Sequence, residues 1–468
     1  MKKILKVIIF LVIVLLLYEV LGILISYGRH PEVDESYQRA VNPKEYYGKG
    51  DFGERACIIE DNKEGLIVRL RLIEEAQKEI ILSTFDFKSD QSGKDMQAAL
   101  LGAAERGVKI KIVVDGFSAL THMRDDYFSA LSSNPNVEFR AYNIPNPLLP
   151  WKTMGRMHDK YLIIDRNSYL LGGRNTYDYF LGGKGYQNYD RDVFVYRNAD
   201  SQKEASADAL YEYFQKVWQE KECRDFRGDR GEKPETKKAA RELQKRYQKL
   251  EKRHPELDKP WHPEKMTYEV SKISILANPT HVYAKKPELF YTLTELMKGA
   301  KEEVKIHTPY VICGKDMYKG LADVCEKADQ VSMMTNSVAN NGNPFGASDY
   351  ALHKEDLLKT GLTIYEYEGG ISYHGKSVTI DDDLAIVGSF NMDMRSAYLD
   401  TEIMLVVHSK GVTAQLKDYM DSYEKQSAKV LNEQEVSLPK GVERQRISKK
   451  RKTRVQLLKP FNWLRFLM

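Results

Sequence analysis

One polar motif occurs twice in this chain of 468 residues, 216 residues apart (158 to 374). Each copy begins with histidine-x-lysine and continues to an aspartate, a glycine and an asparagine at the same internal spacing. One short motif can arise by chance, but two copies in one register are very improbable. The repeat therefore predicts a duplicated fold whose halves build one site. The shared positions are His158, Lys160, Asp165, Gly172 and Asn175 in the first copy and His374, Lys376, Asp381, Gly388 and Asn391 in the second.

The spacing within the motif has a physical meaning. In an extended strand alternate side chains share a face, so histidine-x-lysine points an imidazole and an ammonium into one space. The aspartate, seven residues after the histidine, falls on the opposite face or in the next turn, which favours a structural anchor. A second apolar strand then ends in the glycine, where backbone can approach a ligand. We expect the asparagine to return beside the histidine.

Two histidines, two lysines and two asparagines suit chemistry on a phosphodiester. Ammonium groups and amides supply positive charge and hydrogen-bond donors to an anionic tetrahedral group. One histidine can attack phosphorus while the other protonates the leaving alcohol and then activates the incoming water or alcohol. Imidazoles with near-neutral pKa values meet both demands, so no metal and no cofactor is expected.

The chain resembles the phospholipase D superfamily, and within it the bacterial cardiolipin synthases, over roughly residues 65–430. The superfamily signature occurs as RMHDKYLIID with LGGRN and as YHGKSVTIDDD with VGSFN. The narrower likeness depends on GSFNMDMRSAYLDTE, MTNSVANN and GGRNTYDYF. This resemblance implies an α/β fold of two pseudo-symmetric α/β/α sandwich domains with mixed sheets. It also implies that the motif histidines, lysines, aspartates and asparagines are the catalytic residues.

The order of apolar segments agrees with a duplicated α/β fold. The first half reads as a helix at 65–77, the strand EIILSTFDF, the helix MQAALLGAAERG and the strand VKIKIVVD, and the second half repeats this order. Such alternation predicts helices packed on both faces of a mixed sheet in each half. The expected domains are 55–222 and 263–432, with a charged helical linker at 223–262.

An apolar run predicts a transmembrane anchor at 1–28, followed by a tether at 29–54. Residues 7–25 are apolar apart from Glu19 and span roughly 28 Å as a helix, close to the hydrocarbon thickness of a bilayer. A cleaved signal peptide is the alternative, although no small-x-small site stands between 22 and 29. Lysines at 2, 3 and 6 predict a cytoplasmic amino terminus and an extracytoplasmic catalytic body.

Two further segments predict contact with the membrane surface. The loop 143–156 carries Leu148, Leu149 and Trp151 between prolines and beside Lys152, a composition that suits the bilayer interface. Folding of this loop onto its own domain is the alternative. The tail at 433–468 joins a basic cluster to apolar and aromatic residues, which predicts contact with an anionic leaflet.

Each motif histidine needs a group that orients its ring. The resemblance implies a carboxylate after each motif, at Asp192 and Glu402, with Asp190 as an alternative to Asp192. Such a carboxylate fixes the tautomer and stabilises the imidazolium. Ser389 and Gly173, which occupy the same position in the two copies, are candidate substrate-binding residues.

The resemblance implies a membrane-anchored phosphatidyltransferase that works through a phosphohistidine. His158 would attack a phospholipid phosphate and His374 would protonate the departing alcohol, an assignment that follows the relatives. Phosphatidylglycerol is the expected substrate, with phosphatidylethanolamine as a second candidate donor. The alternatives are a hydrolytic phospholipase D, a nuclease of the superfamily and a non-catalytic lipid-binding protein.

Charge and motif completeness rank these alternatives. The formal net charge of +4 gives no global basic field of the sort a nucleic-acid binder carries, so no nucleic-acid partner is expected. A non-catalytic protein would normally have lost a motif histidine or lysine, and both motifs are complete. The four cysteines form no C-x-x-C pair, which favours free thiols over metal ligands, with disulfides as the alternative.

Overall fold

Two sheets with the same strand order form the centre of the molecule. The computed structural model describes residues 2–50, 52–198, 205–226 and 233–468, and each sheet has nine strands within those residues. The first sheet runs Tyr268–Glu269, Glu54–Ile59, Asp192–Arg197, Ser168–Gly172, Tyr161–Ile164, Glu79–Thr84, Lys109–Asp115, Val137–Tyr142 and Cys223–Asp225. The second runs Lys272–Ala277, Ile403–His408, Leu384–Gly388, Ser377–Ile380, Glu303–His307, Gln330–Asn336, Thr363–Tyr367, Ser427–Val430 and Val436–Ser437.

Helices cover the outer faces of the two sheets. Parallel and antiparallel neighbours occur in both sheets, so the predicted class, two α/β domains with mixed sheets, is confirmed. After residue 54, the described α-helices of five or more residues are Asn62–Glu75, Gln91–Glu105, Gly116–His122, Asp126–Ser132, Ser206–Gln219 and Pro234–Tyr247, then Glu288–Met297, Lys315–Cys325, Pro344–Leu358, Met394–Tyr398, Lys410–Glu424 and Lys449–Leu458.

Local sequence explains where these helices begin and end. The helix Gln91–Glu105 begins after Asp90, whose side chain accepts a hydrogen bond from the Gly93 N–H and so satisfies one orphan donor of the first turn. The helix is closed by Gly107 at φ +96°, a backbone conformation that glycine adopts without strain.

A shared apolar core joins the two domains. Val193 and Leu171 of the first sheet lie in one buried cluster with Val387 and Leu405 of the second. Each domain also has its own cluster between its sheet and its outer helices. Because burial of apolar side chains is the main stabilising term in folding, the shared cluster holds the two motif-bearing sheets face to face.

Two segments outside the predicted first domain, 55–222, complete the first sheet. Cys223–Asp225 pairs with Val137–Tyr142, and Tyr268–Glu269 pairs with Glu54–Ile59. The helix Pro234–Tyr247 buries Ala239 and Leu243 against the same domain. Between the repeats, Pro234–Tyr247 is thus an amphipathic helix that lies along the first domain.

The N-terminal helix Lys2–Tyr27 is the one described helix that is long and apolar enough to cross a bilayer. Most of its side chains are exposed. Near its end the ring of Tyr18 packs edge-on against Trp151 at 4.8 Å, and the Tyr18 hydroxyl donates to the Leu148 carbonyl at 2.7 Å. The loop 143–156 therefore packs on this helix, while Leu148 itself stays 76 % exposed.

The tail docks on the second domain. Arg444 pairs with Glu366 at 3.1 Å, and Arg465 pairs with Asp349 at 2.9 Å. Leu467 is buried, whereas Phe461 and Trp463 remain 52 % and 60 % exposed. The tail thus combines a docked side with an exposed aromatic side. Its exposed basic residues are Lys440, Arg444, Arg446, Lys449, Lys450, Lys452, Arg454 and Lys459.

The motif aspartates anchor turns at the ends of their strands furthest from the histidines. Asp381 has φ +48°, and its carboxylate accepts three backbone N–H bonds of 2.8 to 3.0 Å, from residues 301 to 303. Asp165 has φ +51° and accepts three such bonds of 2.7 to 2.8 Å, from residues 77 to 79. The prediction that both aspartates are catalytic is therefore wrong. The contacts agree with the other prediction, that the aspartates are structural anchors.

Replacing Asp381 by alanine is expected to lower the free energy of unfolding by about 1 to 3 kcal/mol, because three N–H donors lose a charged acceptor. Asp382→Ala is the matched control, since Asp382 pairs with Lys417 on the exposed side of the same turn and such pairs contribute about 1 kcal/mol or less. Thermal unfolding of both variants measures the difference. Equal losses would contradict the anchoring role.

Candidate active site

The two motifs meet through a reciprocal exchange between the domains. The residue before His374, Tyr373, pairs with Tyr189 in a short parallel ladder. The residue before His158, Met157, forms an isolated parallel bridge with Thr401. In both cases the segment that leads into a histidine of one domain lies against the segment that leads into a carboxylate of the other.

Each histidine is consequently paired with a carboxylate from the opposite domain. His158 Nδ1 lies 2.9 Å from Glu402 Oε1, and His374 Nδ1 lies 2.6 Å from Asp190 Oδ2. A carboxylate on Nδ1 fixes the tautomer in which Nδ1 carries the proton and Nε2 is left available. Both ends of the site thus use one arrangement.

The expectation that Asp192 orients a histidine is wrong. Its carboxylate instead pairs with Arg69 and Arg174, each at 2.9 Å. Strand register gives the reason, because Asp192 is paired with Gly172 and Met404 is paired with Gly388. Asp190 and Glu402 each lie two residues before these partners and are therefore equivalent positions.

The motif lysines lie beside the histidines. The Nζ of Lys160 donates to the carbonyl of His158, and the Nζ of Lys376 donates to the carbonyl of His374. Lys376 also lies 3.4 Å from Asp190 Oδ2. The histidine-x-lysine segments precede the strands, which begin at residues 161 and 377. Each segment is held instead by the bridge just before it, at Met157 or Tyr373, to the opposite domain.

Burial and neighbouring cations set the protonation of the bases. Burial lowers the pKa of His374 to about 4, with Lys376 adding to the effect and Asp190 opposing it. Burial, followed by Lys160 and Lys376, holds the pKa of His158 well below its usual range. Burial lowers the pKa of Lys160 to about 7. Without an anion in the site both imidazoles are therefore neutral at pH 7, and a bound phosphodiester would raise all these pKa values.

The two orienting carboxylates differ in charge. Burial alone would raise the pKa of Asp190, but Lys376 and His374 hold it below its usual range. Burial raises the pKa of Glu402 to about 7, against the opposing effects of Lys160 and the hydroxyl of Ser389. The two histidine–carboxylate pairs are therefore similar in geometry, but the pKa values of their carboxylates differ.

Both histidines line one cavity of about 580 Å³ between the domains, within the range of roughly 300 to 1,000 Å³ typical of ligand pockets. Asn175 and Asn391 also line it, and in the described structure their buried Oδ1 atoms have no hydrogen-bond partner. Phe85 packs edge-on against His158 at 5.1 Å, and Phe180 packs edge-on against His374 at 5.0 Å. Because Oδ1 is an acceptor, the Nδ2 groups of Asn175 and Asn391 are the ones that can donate to a phosphate oxygen.

Ser389 and Gly173 do not contact this cavity directly. The buried hydroxyl of Ser389 donates to Glu402, so Ser389 positions a carboxylate. A Cβ at Gly173 would lie 2.2 Å from the Asp190 carboxylate, so glycine there makes room for it. The substrate-binding assignment of both residues is corrected to support of the two orienting carboxylates.

Arg191 is a positioning residue that the sequence did not single out. Its fully buried guanidinium makes two hydrogen bonds to Glu60, at 2.8 and 2.9 Å, and donates to Ser377 Oγ across the domain boundary at 2.8 Å. Ser377 follows Lys376, so Arg191 fixes the second motif against the first domain. The sequence did contain a signal for this role, because Arg191 stands between Asp190 and Asp192, shortly after the first motif.

Comparison with protein families gives one match. The profile described as "Cardiolipin synthase, PLD-like domain" matches residues 70–218 and 293–423, together more than half of the chain. Both matched regions contain one copy of the motif. The family match thus follows the internal repeat.

Individual relatives cover most of the chain at low identity. An uncharacterized protein of Helicobacter pylori (strain ATCC 700392 / 26695) is 27 % identical over an alignment of 404 residues, gaps included, that covers 78 % of this chain and 79 % of the relative. Cardiolipin synthase C of Escherichia coli (strain K12) is 25 % identical over an alignment of 414 residues that covers 77 % of this chain and 82 % of the relative. Among solved structures, phosphatidylserine synthase of Haemophilus influenzae Rd KW20 superimposes with a TM-score of 0.66 at 14 % identity, covering 93 % of this chain and 100 % of the other. That last likeness concerns the fold.

Proposed function

Because the chain belongs to the cardiolipin synthase family of phospholipase D-like proteins, we propose that it is a phosphatidyltransferase that makes cardiolipin through a phosphohistidine. The observation that carries this proposal is the pair of histidines in one cavity, each held by a carboxylate of the opposite domain. Two imidazoles suit a reaction in two displacement steps.

The first step forms the covalent intermediate. Nε2 of His158 attacks the phosphorus of a phospholipid, a P–N bond forms, and the P–O bond to the head-group alcohol breaks. His374, protonated once the anionic substrate has raised its pKa, donates its proton to the departing oxygen. Lys160, Lys376, Asn175 and Asn391 hold the phosphate oxygens and stabilise the added negative charge.

The second step returns the enzyme to its starting state. Neutral His374 takes the proton of a hydroxyl of phosphatidylglycerol, whose oxygen attacks the phosphorus. The P–N bond breaks and its electron pair stays on His158, so cardiolipin leaves. Asp190 and Glu402 keep each ring in the tautomer that these steps need.

Attachment to a membrane is part of the proposal. The apolar helix Lys2–Tyr27 supports a single span, and the positive-inside rule supports an extracytoplasmic catalytic body. Exposed Leu148 beside that helix, with Phe461 and Trp463 on the tail, supports further contact with the lipid surface. Resistance of the catalytic body to protease added outside intact cells would contradict this orientation.

Purified full-length protein with labelled phosphatidylglycerol vesicles tests the activity, in the presence of a metal chelator. The expected products are cardiolipin and free glycerol in equal amounts. Addition of phosphatidylethanolamine tests it as a donor, through release of ethanolamine. Phosphatidic acid as the sole product would identify a hydrolytic phospholipase D, and no phospholipid turnover would contradict the proposal.

Replacing Phe461 and Trp463 together by serine is expected to lower activity on anionic vesicles about tenfold, because two aromatic anchors are lost. Activity on a dissolved short-chain phospholipid serves as the reference for each protein. Leu431→Ser is the matched control, since Leu431 is 57 % exposed outside the tail. An unchanged ratio of vesicle to dissolved-substrate activity would contradict contact between the tail and the lipid.

A further inference from the structure

One wall of the cavity carries a fixed positive charge. Of the described residues that line the cavity, Arg395 alone is a lysine or arginine. Two carboxylates share this wall, and both are engaged, since Asp400 pairs with Arg395 at 3.0 Å and Asp393 accepts the Ser396 N–H at 2.6 Å. This cation lies outside both motifs and is not used in the two displacement steps.

Arg395 lies close enough to the reaction centre to act on it. It belongs to the second domain, yet its charge is among those that lower the pKa of His158 in the first, after burial, the two motif lysines and His374. Its short helix, Met394–Tyr398, ends in Tyr398, whose ring stacks on His30 at 4.1 Å. His30 lies three residues after the apolar helix, so the helix that carries Arg395 contacts the segment beside the proposed membrane anchor.

The guanidinium is held in place but not saturated. Nε donates to Asp400, Nη1 donates to the Leu467 carbonyl at 2.9 Å, and Nη2 donates to the Met154 carbonyl. These contacts use three of the five N–H donors of an arginine. One N–H on each terminal nitrogen remains, and a guanidinium fixed in this way is well suited to bind a phosphate. The side chain is 24 % exposed, which leaves it accessible from the cavity.

We propose that Arg395 binds the phosphate of the acceptor phospholipid and thereby selects phosphatidylglycerol over free glycerol and water. This inference rests on the proposed function. The acceptor must place a hydroxyl at the histidines while its own phosphate, at the other end of a three-carbon bridge, stays nearer the bilayer. Arg395 lies on the side from which that phosphate would come. Free glycerol and water have no such phosphate and gain nothing from Arg395.

Competition between two acceptors for one covalent intermediate tests this inference. Full-length protein is incubated with phosphatidylglycerol vesicles and isotope-labelled free glycerol. Transfer to phosphatidylglycerol gives cardiolipin, and transfer to free glycerol gives labelled phosphatidylglycerol. Both products arise from the same phosphatidyl-enzyme, so their ratio does not depend on how much of a variant is folded.

Arg395→Gln is expected to lower the ratio of cardiolipin to labelled phosphatidylglycerol at least tenfold, which is the effect of losing a hydrogen bond to a charged group. Arg395→Lys keeps the charge and should lower the ratio less. Arg444→Gln is the matched control, because Arg444 also ties the tail to the second domain but does not line the cavity. Its ratio should match that of the unchanged protein.

Either of two results in the Arg395 variants would overturn the inference. One is an unchanged ratio in Arg395→Gln, and the other is an equal loss of both products in both Arg395 variants. A fall of the same size in Arg444→Gln would assign the effect to loosening of the tail and would also overturn it. Absence of cardiolipin with the unchanged protein would instead refute the proposed function, and this inference with it.

Discussion

His158→Ala is expected to lower phosphatidyl transfer by about four orders of magnitude, because the first step loses its nucleophile. The ring of His158 is buried and packed against Phe85, so thermal unfolding must accompany the rate measurement. Transfer from phosphatidylglycerol to cardiolipin, per mole of folded protein, gives the rate. Retention of more than a tenth of the activity would contradict the proposed mechanism.

His374→Ala is the matched variant that separates the two roles. A dissolved phospholipid with a nitrophenol leaving group needs no proton from the enzyme in the first step. With this substrate, His374→Ala should release nitrophenol in a burst and retain a labelled phosphatidyl group, while His158→Ala should do neither. The reverse result would assign the attack to His374 and leave the two-step scheme in place.

Asp190→Asn is expected to lower turnover by about three to four orders of magnitude with the domains still folded. The amide cannot hold the imidazolium of His374 as a carboxylate does, and the loss of such a group from a similar arrangement has an effect of this size. Steady-state rates and thermal unfolding are measured on the same preparation.

Asp192→Asn is the matched control, because Asp192 lies two residues from Asp190, at the start of the strand Asp192–Arg197. Asp192 pairs with Arg69 and Arg174 and not with a histidine. Breaking that buried pairing should lower the free energy of unfolding by about 3 kcal/mol or more, while turnover per folded molecule falls less than tenfold. If Asp192→Asn lost more turnover than Asp190→Asn, the assignment of the orienting carboxylate would be wrong.

The duplication and the class of fold were predictable because both depend on local pattern. Two motifs in one register require two similar units, and the alternation of helical and strand segments requires mixed sheets covered by helices. The turn role of Asp165 and Asp381 was also readable, since the seven-residue spacing places them away from the histidine. These features depend on residues near one another in the chain.

The identity of the carboxylate on His374 was not predictable from spacing. Asp190 follows Asn175 by 15 residues (175 to 190), whereas Glu402 follows Asn391 by 11 (391 to 402), so the two copies are out of register here. In an extended strand, Asp190 and Asp192 would also point to the same face, because they are two residues apart. Only the pairing of Tyr189 with Tyr373 in the other domain decides between them.

The packing of Trp151 on Tyr18 was missed for a similar reason. The composition of the loop suits a bilayer interface, but the apolar helix on which it packs lies more than a hundred residues away in sequence. Contacts of that range depend on how the completed domains place their ends, and local pattern does not encode them.

The exchange of carboxylates between the two halves also governs when the protein becomes reactive during its synthesis. Glu402 lies in the last matched segment to leave the ribosome, and until it reaches His158 that ring has no partner to fix its tautomer. In a nascent or truncated chain that has completed only its first half, His158 therefore has no carboxylate on Nδ1, even when the first sheet is fully formed. Competence for the proposed transfer thus arrives only when the second half has folded onto the first.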